Sequence, residues 1–359
     1  MTSNHRIAIL ASATTLGVYV PALTLYHQLV DEYGESNVFF FVYEDLYGEN
    51  LQKNIQEVKK LYHSNFKIAL MGQKISVQNN SSKVDQSITN DLLGLWYKSG
   101  INKFLVFSGF WTPVLNYFYK QKKFSCNTII LDAIEAQSWK SESPKFPVSR
   151  YELFSIDREE VNYFINIKSD EYLEEKSNSI IVHGGGWGIG TYQKTIKDLD
   201  QLDKHIYCLT YFEDDIKTGS NTEYLCQDPS WRPGSHFNSF DICFPRLIPV
   251  SENAPKISNS YQKISDLYEL VKKSKAIVSK PGGGTLIDSF SANTPILFLD
   301  RFGDHEEANA QLWKKMGFGM EYDEWKNQGF PDDSLLKMSK NIQTYKTTRS
   351  IKNLMRIIA

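Results

Sequence analysis

Three consecutive glycines, Gly282-Gly283-Gly284, stand between a short apolar strand (Ala276-Ile277-Val278) and the helix-like segment Thr285-Leu286-Ile287-Asp288. Glycine loses more conformational freedom on folding than any other residue. Three in a row at a strand-to-helix turn therefore mark a place where the backbone comes close to something bulky. A helix N-terminus offers unpaired N–H groups and a partial positive charge, which suits an anion. Asp288 adds a carboxylate one helical turn further on. A second strand, Thr294 to Leu299, leads into the polar loop from Asp300 to Ala310. Cradle, acid and polar loop in that order suit a nucleotide diphosphate with a further group attached.

The same alternation runs through the chain. His5 to Ala11, Asn37 to Tyr43, Phe66 to Leu70, Lys103 to Phe107 and Thr128 to Asp132 read as strands; Tyr19 to Tyr33 and Ser87 to Ser99 read as helices. Gln78 to Ser87 and Lys140 to Ser149 read as loops. After the polar linker Asn166 to Ser179 the pattern restarts. Ser179 to His183 is a strand running into Gly184-Gly185-Gly186-Trp187-Gly188-Ile189-Gly190. Thr191 to Leu202 and Ile264 to Ser274 read as helices, Ile206 to Tyr211 and Phe240 to Pro245 as strands, and Leu335 to Ile358 as one or two terminal helices. Near-continuous apolar strands separated by helices predict parallel sheets covered on both faces. The expected fold class is α/β, with two Rossmann-like doubly wound domains facing a cleft. The expected boundaries are 1–170, 171–340, and a terminal helix over 341–359 that returns to the first domain.

A length of 359 residues, 41% hydrophobic, supports two full cores. A net charge of -2 leaves no electrostatic case for nucleic acid. No apolar run approaches the roughly 20 residues that span a bilayer. The N-terminus lacks a signal-peptide pattern, and no stable membrane anchoring is expected. The four cysteines lack C-x-x-C spacing and read as reduced thiols of a cytoplasmic protein. No Cys/His cluster has metal-ligand spacing, and no metal or cofactor is expected.

From Ala276 to Met320 the chain resembles inverting glycosyltransferases of the GT-B architecture. It is closest in pattern to the group containing the lipid-linked N-acetylglucosaminyltransferase of peptidoglycan synthesis. A weaker resemblance covers Leu10 to Leu29, where a glycine turn leads to Pro21-Ala22-Leu23. The resemblance implies transfer of a sugar from a UDP- or dTDP-linked donor to a hydroxyl or amine acceptor, without a metal. Gly282, Gly283, Gly284 and Thr285 would hold the diphosphate, and Asp288 the ribose hydroxyls, where the family usually has Glu. Gly185, Gly186 and Trp187 would face the phosphates or sugar. Arg246, Leu247 and Ile248 correspond to the strand end that reads the base. His305, Glu306 and Glu307 would lie on the donor side, the two glutamates against the sugar hydroxyls, with Asn309 holding their loop.

The acceptor side departs from the family's pattern. Its first loop usually carries a His; here the segment includes Thr14, Thr15, Gly17 and Val18, with Val18 near the expected His. A base is then sought at strand ends of the first domain: Glu44, Asp45, Asp132 or Glu135. Asp132 is favoured because it ends an apolar strand facing the cleft. Phe110 and Trp111, after a strand end, would line an acceptor pocket; Phe107, Tyr117 and Phe118 near them read mainly as core. His183 and His305 have structural readings beside their functional ones. Asp198-Leu199-Asp200, within a charged helix, reads as solvated surface, and Asp214-Asp215 reads as a loop. The alternatives are a nucleotide-sugar hydrolase or 2-epimerase on the same architecture, and a non-catalytic nucleotide-sugar-binding partner subunit.

Overall fold

A computed structural model describes residues 6–14, 16–71, 84–167, 175–212, 215–216, 222–250 and 263–358, with 49–56 described through the backbone alone. Thr15, Asp214 and parts of the 78–87 loop and of the 166–179 linker lie outside the described residues.

The first sheet contains β1 (Ile7–Ala11), β2 (Val38–Val42), β3 (Lys103–Val106), β4 (Ser125–Ile130) and β5 (Ser149–Glu152). Its order is β2-β1-β3-β4-β5, with every pairing parallel. The second sheet contains β6 (Ser179–His183), β7 (His205–Thr210), β8 (Thr222–Gln227), β9 (Leu247–Pro249), β10 (Ala276–Ser279), β11 (Ile296–Phe298) and β12 (Gly319–Glu321), in the order β9-β8-β7-β6-β10-β11-β12. Only β9 runs antiparallel, as an edge strand on β8. All five residues of β1 and of β6 are buried, as central strands covered on both faces require. Strand order reverses between β1 and β3, and between β6 and β10. Open α/β sheets bind ligands outside the carboxyl ends of the strands at such points.

Helix α1 (Leu16–Tyr33) buries Tyr19, Ala22, Leu23, Tyr26 and Leu29, which recur every three to four residues, and it packs against both lobes. Pro21 sits inside this helix. It has no N–H, so the Gly17 carbonyl one turn back lacks its usual intrahelical donor. The remaining longer helices are α2 (Glu49–Ser64), α3 (Gln86–Lys98), α4 (Thr112–Gln121), α5 (Asp266–Lys273), α6 (Gly283–Ala292), α7 (Asp304–Lys315) and α8 (Asp332–Thr348). The chain ends in α9 (Leu354–Ile358), whose Leu354 and Ile358 are buried and which packs on α1. Lys352–Asn353 just before it pair with Tyr163–Phe164, so the terminus closes on the first lobe.

Three sequence expectations are corrected. Residues 66–71 are helical, where Phe66 to Leu70 reads as a strand. Tyr62, His63, Phe66, Ala69 and Leu70 turn inward while Leu61, Ser64, Lys67, Ile68 and Met71 are exposed, a helical period that a short apolar run does not reveal. Thr191 to Leu202 is not one helix; it breaks into a 3-10 turn (Tyr192–Thr195) and a single α turn (Ile196–Leu199). Phe240 to Pro245 forms no strand. The strand in that region is β8, whose mixed Thr-Glu-Tyr-Leu-Cys-Gln sequence lacks a strong signal.

The segment 228–246 between β8 and β9 crosses to the first lobe instead. The His236 N–H donates to the Phe40 carbonyl at 2.9 Å, and the Phe40 N–H donates to His236 Nδ1 at 3.0 Å. Both bonds satisfy the open edge of β2, which would otherwise present bare backbone groups. Asp45 accepts from the Ser235 hydroxyl and from Asn238 Nδ2, and Tyr19 stacks edge-on against Trp231 at 5.5 Å. The two lobes are thus strapped together beside α1.

Candidate functional site

A cleft runs between the N-terminal half of α1 and the carboxyl ends of β6, β7 and β10. The first lobe contributes Leu16, Gly17, Val20, Pro21 and Thr24; the second contributes His183, Gly185, Gly186, Gly284, Thr285 and Asp288. Deeper in, Leu209, Leu247, Leu267 and Pro245 form apolar walls, with Thr210, Tyr211, Gln227 and Ser265 as polar groups.

The glycine turns make this approach possible. Gly186 lies so close to the Leu16 backbone that any Cβ there would collide with it. Gly185 has φ +73°, a left-handed conformation that glycine adopts without penalty. Its carbonyl accepts from the Tyr211 hydroxyl. A Cβ on Gly284 would stand 3.2 Å from Gly17 Cα. A Cβ on Gly283 would meet the Leu131 carbonyl at 2.7 Å and Asp132 Oδ1 at 2.9 Å. Gly283 is therefore pressed under the first lobe, and the cleft opens at Gly284, Thr285 and Asp288. The first-turn amides of α6 have no intrahelical acceptor, and together with the helix dipole they make an anion site.

Asp288 lies half-buried on the cleft wall, and burial pushes its carboxyl up to about 7. His183 ends β6 and lines the cleft while only 3% exposed; burial, then the Lys280 charge, holds it down to about 3. Lys280 follows β10, and its ammonium pairs with Glu306 at 2.9 Å. A Cβ on Gly185 would lie 3.7 Å from that nitrogen, so the cation stands beside the cleft wall.

Several expected site residues lie elsewhere. Trp187 packs with Ala69 and Ile189 under α2, with Lys59 Nζ 5.2 Å from its ring centroid, and does not face the cleft. Arg246 and Ile248 are outside the lining. The Arg246 carbonyl accepts from Asp228, Ile248 is exposed, and the Leu247 N–H is engaged by Asp266 Oδ2 at 2.8 Å, so only the Leu247 side chain faces the cleft. Glu306 is buried, held by Lys280 and the Phe302 N–H. Glu307 turns to solvent beside Arg301 at 3.1 Å. His305 is half-buried on α7 and outside the lining. Gly282 also lies outside it.

The first-lobe candidates are likewise displaced. Trp111 is fully buried and donates from Nε1 to the Ala11 carbonyl at 2.8 Å. Phe110 packs on Tyr43 in the same aromatic core, and this pair lies outside the cleft lining. Val18 packs against the main core, and of Thr14, Gly17 and Val18 it is Gly17 that lines the cleft. Glu44 accepts from the Ser12 hydroxyl, the Ala13 and Thr14 amides and the Thr14 hydroxyl, and so shapes that loop. Asp45 is held by the strap, and Glu135 pairs with Arg150 at the surface. Asp132 accepts from Asn309 Nδ2 at 2.7 Å and lines no part of the cleft. Each first-lobe carboxylate considered as a base is engaged by a protein partner.

Three features escaped the sequence reading. Tyr211, Gln227 and the apolar wall come from strand ends and loops far apart in sequence. Lys280 carried a local signal, a cation directly after a strand and before the glycines, but had no assigned role. His63 of α2 meets Asp215 Oδ1 at 2.7 Å, and Gln193 donates to the same oxygen, tying α2 to the second lobe.

The architecture decides the fold comparison. Two doubly wound sheets, a cleft at both strand-order reversals and a terminal helix that returns to the first lobe match solved glycosyltransferases over nearly their whole length. The chain has the GT-B fold. The glycosyltransferase SnogD from Streptomyces nogalater aligns with a TM-score of 0.57 at 10% identity, covering 99% of this chain and 98% of that one. The glycosyltransferase VinC, solved in complex with dTDP, gives 0.57 at 10% identity over 98% and 97%. Acinetobacter baumannii MurG gives 0.52 at 12% identity over 99% and 98%. No family model matches the sequence, and no curated protein does. Among the described residues no helix is long and apolar enough to cross a membrane. This GT-B chain therefore shares a scaffold with sugar transferases.

Proposed function

We propose that the chain is a glycosyltransferase that moves a sugar from a nucleotide diphosphate donor, UDP- or dTDP-linked, to a hydroxyl or amine acceptor. The observation that carries this reading is the convergence of the α6 N-terminus, Thr285 and Asp288 on one cleft at the β6/β10 reversal. The amides of Gly284 and Thr285 with the Thr285 hydroxyl would hold the diphosphate, and Asp288 the ribose diol. The apolar wall of Leu209, Leu247 and Leu267 would take the base. As the acceptor attacks the anomeric carbon from the opposite face and gives up its proton to solvent or a base, the glycosidic bond to the diphosphate breaks and the configuration inverts. The helix dipole and amides then stabilise the leaving charge without a metal. A lobe boundary near residue 170 accords with this division into an acceptor and a donor half.

A binding experiment tests the reading. Titration calorimetry with UDP and dTDP should show binding that D288A and T285V each weaken by about tenfold, the scale of one charged hydrogen-bond set. Absence of binding to any nucleoside diphosphate defeats it.

The engaged state of Glu44, Asp45, Asp132 and Glu135 favours a second reading, a donor-binding partner subunit without its own base. Sugar transfer by the purified chain alone removes that reading.

A further inference from the structure

We infer that His183 is a neutral imidazole donor, presenting its Nε2–H to an oxygen of the nucleoside diphosphate at the end of β6. This inference rests on the nucleotide-sugar reading of the cleft.

The argument starts from position. His183 is the last residue of β6 and pairs in register with Ser279, the last residue of β10. These strands flank the point where the sheet reverses order, so the side chain stands where a ligand phosphate is expected. The tautomer follows from its partners. The Gly185 N–H lies 3.1 Å from Nδ1, and the Ser279 hydroxyl 3.3 Å from the same atom. A backbone N–H can only donate, so Nδ1 holds the lone pair and the neutral ring carries its proton on Nε2.

Among the described residues Nε2 has no hydrogen-bond partner, and it is not among the sealed, unpaired atoms of the interior. Its side chain lines the cleft. Burial and the Lys280 charge keep the ring neutral across the physiological range. It therefore cannot act as a general base: Nδ1 is engaged and Nε2 is already protonated. What remains is a fixed N–H donor beside an ammonium and a helix N-terminus. That arrangement favours charge developing on a diphosphate oxygen.

Two variants separate this role from a structural one. In H183N the shorter amide keeps an acceptor for the Gly185 N–H and places no donor where Nε2 stands. H183Q reaches that point with its amide. The probes are ADP, CDP, GDP, UDP and dTDP, with the matching nucleoside of whichever diphosphate binds wild type best. A wild-type protein that binds none of the five defeats the nucleotide reading and this inference with it. If wild type binds, H183N should lose about tenfold in diphosphate affinity and about nothing for the bare nucleoside, as expected for one charge-assisted hydrogen bond. H183Q should recover most of the loss. Diphosphate affinity in H183N equal to wild type, an equal loss for the nucleoside, or no recovery in H183Q overturns the assignment while leaving the nucleotide reading intact.

Discussion

Asn309 Nδ2 donates to Asp132 Oδ1 at 2.7 Å, joining α7 of the second lobe to the loop after β4 of the first. The same nitrogen donates to the Pro281 carbonyl at 2.8 Å, and Asn309 Oδ1 accepts from the Ala133 N–H at 2.7 Å. One fully buried amide thus ties both lobes to the glycine turn. Truncation in N309A leaves several buried polar groups unpaired, with an expected loss of about 2–4 kcal/mol in urea unfolding. D132N keeps an oxygen that can accept from Asn309, so its stability should stay within about 1 kcal/mol of wild type. If Asp132 is a strut and not the base, D132N also retains sugar transfer; complete loss of turnover in a stable D132N would return Asp132 to the catalytic role.

The three glycines of the turn should rank by what lies above them. Gly283→Ala places a methyl against the Leu131 carbonyl at 2.7 Å, which backbone cannot easily vacate. Gly284→Ala meets Gly17 at 3.2 Å, and Gly282→Ala meets only Glu306 Oε1 at 3.6 Å. Overpacking costs typically about 1–3 kcal/mol, so thermal midpoints should fall most for G283A, less for G284A and least for G282A. A reversed order would mean the lobes do not close on this turn in solution.

Asp288 links stability to donor affinity with opposite signs. Its folded carboxyl titrates at about 7, above the ordinary 3.8. Between those values the folded state holds a proton that the unfolded state has lost, so this group's contribution to stability falls as pH rises toward 7. D288N should flatten that slope and melt higher than wild type at pH 8. A ribose diol needs the ionised carboxylate as acceptor, so nucleotide affinity of wild type should rise through pH 7, and that rise should vanish in D288N. Unchanged pH profiles in D288N would show that the carboxylate is not buried in this way.

His236 controls the strap. Its Nδ1 accepts from the Phe40 N–H, and burial holds its pKa below the ordinary 6.5. Below that ordinary value the unfolded ring takes a proton that the folded ring refuses, so stability falls as pH drops through it. H236A should destabilise by about 1–3 kcal/mol at pH 7 through the orphaned Phe40 amide. Hydrogen exchange at Phe40 should accelerate more than at Ile9, in the centre of the same sheet. Equal acceleration at both would point to global loosening.

Much of the architecture was written in local patterns. Continuous apolar strands such as Ile7–Ala11 and Ser179–His183 bury on both faces wherever they are placed, and the glycines at 282–284 announce close backbone approach. Strand β8 was not legible, because its half-polar sequence gains its place from β7 and β9 on either side of it. Residues 66–71 were misread because a short apolar run satisfies either period.

At the site, chemistry and position parted. Residue order alone determined that a glycine turn, a helix N-terminus and Asp288 would share one side of a doubly wound sheet, since those relations span a single turn of chain. Which partner presses on each glycine was decided only by packing. Gly283 meets the first lobe's backbone, Gly284 opens to the cleft, and Asp132 is taken by Asn309, which lies 177 residues further along the chain. A side chain's pattern reports what it can bond; the competition among distant groups for that bond is settled by the folded contacts. That is why four plausible bases became struts and caps while His183, open in sequence to both a structural and a functional reading, came to line the cleft.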